Sequence, residues 1–179
     1  MTITQDISKL IQAHMALDQF EYDVTVDWAI DLIKQGKETE NILMLASFSK
    51  PVDAIEIRPY VNAVLSDLDL EEKKGDDAVL CKIRYHLIEI INDNGIRKNL
   101  NLLYKLFLDI DCFNNDDKYG LMPFYLIYHG WDELESIGAN YYFEGADLDN
   151  IEEVIKEQAQ IWIDKFINKN ENHYPQQNV

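Results

Sequence analysis

Near the C-terminal end of the chain Ile151, Val154, Ile155, Ala159, Trp162, Ile163, Phe166 and Ile167 recur at steps of three and four. A stripe with that period is one face of an α-helix, and it has to be buried against other apolar surface. Asp149 followed three residues later by Glu152 is a capping-box-like start, and Glu152 and Glu153 suit the positive end of the helix dipole. Glu152, Lys156, Gln160 and Lys165 are left to face water.

The same period returns along the rest of the chain. Leu121, Phe124, Tyr125, Tyr128, Trp131 and Leu134 predict a broad apolar helix, with Pro123 in its first turn and Gly138 as its stop. Leu102, Leu103, Leu106, Phe107 and Ile110 follow Asn99, a candidate cap. Val79, Ile83, Leu87 and Ile91 predict a long helix starting at Asp76 or Asp77 and ending at Asn94-Gly95. Ile7, Leu10, Ile11 and Met15 predict an opening helix. A second is expected after Thr25, a short third after Thr39, and a fourth from about Pro59. No run alternates long enough to carry a sheet. The expected fold is all-α, a compact bundle or array of about eight helices. One domain is expected over residues 1–168, followed by a polar, aperiodic tail at 169–179.

Sixteen basic and 33 acidic side chains leave a net charge of −17 over 179 residues. So negative a surface repels phosphate backbones and anionic lipid, which argues against nucleic-acid or membrane partners. It speeds encounter with a basic protein. The two cysteines, Cys81 and Cys112, form neither a disulfide framework nor a zinc spacing, so reduced thiols and a cytoplasmic protein are expected. The opening residues lack a basic region followed by an apolar run, so no signal peptide is expected. The longest uncharged stretch, Tyr119 to Trp131, is too short to span a bilayer.

No nucleophile elbow, phosphate loop or calcium loop is legible. Asp109 and Asp111 begin like an EF-hand, but Phe113 stands where a ligand belongs and Asn114 where glycine belongs. His86 with Glu89, and His129 with Asp132, are each three apart on predicted helices. Facing each other, the two pairs would form a metal-dependent enzyme site, although the order is the reverse of the Glu-x-x-His found in di-iron bundles. The ordinary alternative is a pair of histidines at the core edge, and neither a metal nor a cofactor is expected.

The aromatics Tyr125, Tyr128, Trp131, Tyr141, Tyr142 and Phe143 cluster in sequence beside acids. Most are expected in the core. Any that are exposed would make a partner-binding patch, for which the candidates are Trp131, Asp132, Glu133, Glu135, Tyr141, Tyr142 and Glu144. The stretch from Asp27 to Gly36, with Thr39, Leu43, Leu45, Ala46 and Pro51, resembles a helix-turn-helix opening of small bacterial proteins, some of them immunity proteins of toxin systems. The resemblance implies a non-enzymatic protein that neutralises a basic toxin. A structural or regulatory subunit, acidic for solubility alone, is the further alternative.

Overall fold

The computed structural model describes residues 3–17, 20–114 and 116–168, without the side chains of residues 3–6, 167 and 168. The tail expected at 169–179 lies outside the described residues, as does the side chain of Ile167. Among the described residues the fold is all-α, with eight α-helices and no strand. None is long and apolar enough to cross a membrane. The chain divides into two compact units, residues 1–85 and 86–179.

In the first unit α1 (Ile3–Gln12), α2 (Asp23–Lys34), α3 (Glu40–Ala46) and α4 (Ala54–Asp67) pack in chain order, each against the next. Their core holds Ile11, Val26, Trp28, Leu32, Ile42, Leu45, Ile57, Val61 and Val64. Trp28 is fully buried, and its indole N–H donates to Ser8 Oγ at 2.9 Å, so its one polar atom is satisfied. Thr39 caps α3 as expected: its hydroxyl oxygen accepts the Ile42 N–H at 3.2 Å, an arrangement that contributes about 1 kcal/mol.

Two other starts differ from expectation. Thr25 lies inside α2, buried, and donates its hydroxyl to the Tyr22 carbonyl. The fourth helix begins at Ala54 rather than near Pro59, because Asp53 Oδ1 accepts the Ile55 and Glu56 N–H groups. Pro59 is left within the helix. Met15, expected inward, lies beyond α1 and is half exposed. The chain after α4 is tied to the end of α1, where Gln12 donates to the Glu71 carbonyl and accepts the Lys73 N–H.

The helix α5 (Gly75–Ile91) runs through the division between the units. Its early residues Ala78, Cys81 and Tyr85 pack against Leu10, Ala13 and Leu17 of the first unit.

In the second unit α6 (Ile96–Asp109) packs on α7 (Met122–Ile137), and α7 on α8 (Ile151–Ile163). Phe107, Phe124, Ile127, Ile151, Ile155 and Trp162 are buried. Pro123 stands in the first turn of α7, and Gly138 ends the helix at φ 70°, both as the sequence predicts. Asn99 is not the cap of α6. Gly95 precedes that helix, and Asn99 is buried in its first turn. The N-cap of α8 is Asn150 rather than Asp149. Asp147 organises this turn, accepting the N–H groups of Asp149 and Asn150. A single π-helical turn, Asp164–Asn168, extends α8. Gly120 has φ 68°, and a Cβ on it would come within 2.6 Å of the Phe166 ring, so this position needs glycine for conformation and for space.

Candidate functional site

Residues 128, 131, 132 and 135 share one face of α7, at the steps that bring side chains together on a helix. Arg97 of α6 lies against that face. Its guanidinium is 4.5 Å from the Trp131 ring centroid and 5.4 Å from that of Tyr128. One terminal nitrogen, Nη2, donates to Asp132 and lies 3.5 Å from Glu135. The other, Nη1, is buried without a hydrogen-bond partner. Trp131, Asp132 and Glu135, three of the residues nominated for partner binding, are therefore engaged by a cation of the same unit. Trp131 is only 8% exposed.

The remaining candidates lie on or beside the connector between α7 and α8. Asn140 holds that connector. Its Oδ1 accepts the N–H groups of Tyr142 and Phe143 at 3.0 Å, and its Nδ2 donates to the carbonyls of Phe143 and Ala146. Glu133 Oε2 accepts the Tyr141 N–H at 3.0 Å. Gly130 makes room for this clamp, since a Cβ there would stand 2.7 Å from Asn140 Oδ1. The backbone bearing Tyr141 and Tyr142 is thus fixed, while their side chains are 79% and 45% exposed. Glu144 is also exposed.

Tyr142 is one end of a continuous aromatic strip. Its ring lies 5.4 Å from that of His129, His129 lies 4.7 Å from Tyr125, and Tyr125 lies 5.1 Å from Phe113. Phe113, at the other end, is half exposed. Tyr104 stacks on Tyr128 at 4.1 Å and meets His129 edge to face. His129 is therefore surrounded by Tyr104, Tyr125, Tyr128 and Tyr142, and its Nε2 is buried with no hydrogen-bond partner. In the sequence Phe113 stands where a calcium ligand belongs and His129 is three residues from Asp132, and neither position points to the strip. The available signal was the spacing of Tyr125 and His129, one turn apart.

The metal candidates His86, Glu89, His129 and Asp132 do not assemble. His86 is buried, with Nδ1 2.8 Å from Asn99 Oδ1. The Asn99 amide donates to the Asn94 and Gly95 carbonyls, which turns its oxygen to the ring and makes His86 Nδ1 the donor. Burial pushes the Glu89 carboxyl above its usual range, against a hydrogen bond from Asn94 and the Lys98 charge. Asp132 is held by Arg97. Among the described residues no three of His, Cys, Asp and Glu are grouped as metal ligands. Neither cysteine forms a disulfide, and burial pushes the Cys81 thiol up, away from the reactive thiolate.

In the first unit a fully partnered histidine provides a contrast. Arg58 Nε donates to Tyr22 Oη at 2.8 Å, Tyr22 Oη lies 3.0 Å from His14 Nδ1, and His14 Nε2 lies 2.9 Å from Asn62 Oδ1. With its Nε2 donating to the Asn62 oxygen, the ring accepts the Tyr22 hydroxyl at Nδ1. His14 is 1% exposed, and burial holds its pKa below the usual value, as does the nearby Arg58 charge. The Asn62 hydrogen bond and Glu72 oppose this. Asn62 also lines an open cleft of about 320 Å³ with Leu65, Ser66, Asp69, Leu70, Glu71 and Glu72. Compared with known proteins, the chain matches no family model, no curated protein and no solved structure.

Proposed function

We propose that this chain is a non-enzymatic, cytoplasmic binding protein of a bacterial cell, of the immunity-protein kind, whose second unit holds a basic partner such as a toxin. One observation carries the reading: Tyr141 and Tyr142 are exposed on a backbone clamped by Asn140 and Glu133, and Tyr142 continues into the aromatic strip that ends at the exposed Phe113. Aromatic side chains on a fixed backbone lose little entropy when they bind, which is how rigid paratopes gain affinity. Exposed Asp109, Asp111, Asp116 and Glu144 flank the strip in sequence. Together with the −17 charge they favour a basic partner and repel nucleic acid. A subunit acidic for solubility alone has no need of a clamped aromatic surface.

The test is affinity capture from the source cells with the wild-type protein and with the double variant Phe113→Ser, Tyr141→Ala. The expected partner is basic, is released by salt of about 0.5 M, and is lost with the variant. A partner that is acidic, or one held equally by the variant, overturns the reading.

A further inference from the structure

We propose that the face of α7 formed by Tyr125, His129 and Glu133, roofed by Tyr142, is a socket for an arginine side chain of the basic partner. The proposal rests on the reading of the second unit as a binding surface and specifies its central contact.

Arg97 supplies the pattern within the same unit. It pairs two aromatic faces, Tyr128 and Trp131, with two carboxylates, Asp132 and Glu135. Tyr125, His129 and Glu133 follow one another at single-turn spacing along the adjoining face of α7 and offer the same kinds of group: an aromatic ring, an imidazole and a carboxylate. Among the described residues no arginine or lysine forms an ion pair with Glu133 or lies over the Tyr125, His129 or Tyr142 rings. In its place stands an unmet polar atom, His129 Nε2. A buried nitrogen without a hydrogen bond is costly in a native fold, and a donor that reached it would relieve that cost.

A guanidinium suits each of these groups. Its flat face stacks on a tyrosine ring, and one N–H donates to the His129 Nε2 lone pair, the ring hydrogen then residing on Nδ1. Glu133 commits Oε2 to the Tyr141 N–H, which leaves Oε1 to meet the charge. Tyr142 covers His129 at 5.4 Å with its planes tilted by 36°, and its ring is 45% exposed. It can turn aside without disturbing the backbone, which Asn140 holds separately. An ammonium group lacks the flat face and the fork of donors, so lysine fits less well.

The experiment titrates the full chain at low salt with a blocked, fluorescent peptide of four arginines spaced by glycine, and with its lysine and citrulline counterparts. The arginine peptide is expected to bind, and the citrulline peptide to bind at least about tenfold more weakly. His129→Phe, which keeps the ring packing, is expected to weaken the arginine peptide about tenfold, and His129→Gln less, since its amide oxygen still accepts. In the wild type the ¹⁵N resonance of His129 Nε2 is expected to shift on addition of the arginine peptide, a readout that does not depend on how any variant folds. Equal binding of the arginine peptide by His129→Phe and wild type, together with loss in Phe113→Ser, removes the socket and leaves the binding surface standing. Equal binding of the lysine and arginine peptides removes the guanidinium specificity and with it the proposal. Failure of every basic peptide to bind, while a basic partner is still captured through Phe113 and Tyr141, also removes the socket alone. Failure of both experiments removes both readings.

Discussion

In the first unit the His14 ring has a partner at each nitrogen. In the second, the His129 ring meets four tyrosines and has no hydrogen bond at Nε2. Both rings sit among aromatics, so apolar packing does not separate them. The difference is what each can do for the fold. A buried polar group whose bonds are all made specifies one arrangement of the segments it joins, here the turn after α1, the residue that precedes α2 and the middle of α4. A buried group with a bond left unmade costs its fold the desolvation of that atom.

The largest expected effect that tests this contrast is on stability. His14→Leu strands the Tyr22 hydroxyl and the Asn62 amide and is expected to cost about 3 kcal/mol in urea unfolding. His129→Phe keeps the packing, removes no bond and eliminates an unpaired buried nitrogen, so it is expected to leave stability unchanged or raise it by about 1 kcal/mol. Equal losses in the two variants would erase the distinction. Next in size is a pH effect. Because burial lowers the folded-state pKa of His14, the unfolded chain takes up the proton first as pH falls. The stability contributed by neutral His14 is complete above about pH 6.5 and is lost as pH drops through the lower folded value, at up to about 1.4 kcal/mol per pH unit. The difference between the wild type and His14→Gln across this range isolates that contribution from Glu89, whose raised pKa acts in the opposite sense. A flat difference between the two proteins would show that the Arg58–Tyr22–His14–Asn62 chain is not set as described. The smallest expected effect concerns the clamp beneath the strip. Gly130→Ala gains helix propensity but drives a Cβ against the bonded Asn140 amide, for an expected net loss of about 1 kcal/mol. Faster hydrogen exchange at the Tyr142 and Phe143 amides would accompany it, and unchanged exchange would mean that Asn140 does not hold the loop.

Much of the helical architecture was legible because it depends on local pattern. The stripe through Ile151, Ile155, Ala159 and Trp162 is buried as its period predicts, and Pro123 and Gly138 bracket α7. Thr39 caps because it stands immediately before the first helical residue, where its oxygen accepts the Ile42 N–H while its hydroxyl donates to Asp67. Thr25 and Asn99 have the same chemical suitability but lie one turn further in, where the Tyr22 carbonyl and His86 take up their side chains. The site was harder to read for a related reason. Trp131, Asp132 and Glu135 look like an exposed acidic and aromatic patch until Arg97, far away in sequence, is placed against them. The strip from Phe113 to Tyr142 spans α6, α7 and two connectors, and no local period joins those segments. Sequence showed which aromatics were present, but their partition between core and surface depended on helix packing.

The three tryptophans are distributed usefully for optical work. Trp28 is the only one in the first unit, and Trp131 and Trp162 belong to the second. All three are buried, so each should emit to the blue of water-exposed indole in the native protein. Trp162 donates its N–H to the Tyr119 carbonyl and stacks on Phe166 at 4.7 Å, while Trp131 faces a guanidinium. Three such different surroundings give three distinguishable emitters. Replacing them with phenylalanine two at a time leaves a single intrinsic fluorophore, so the unfolding of each half of the polypeptide can be followed in its own colour without attaching a dye.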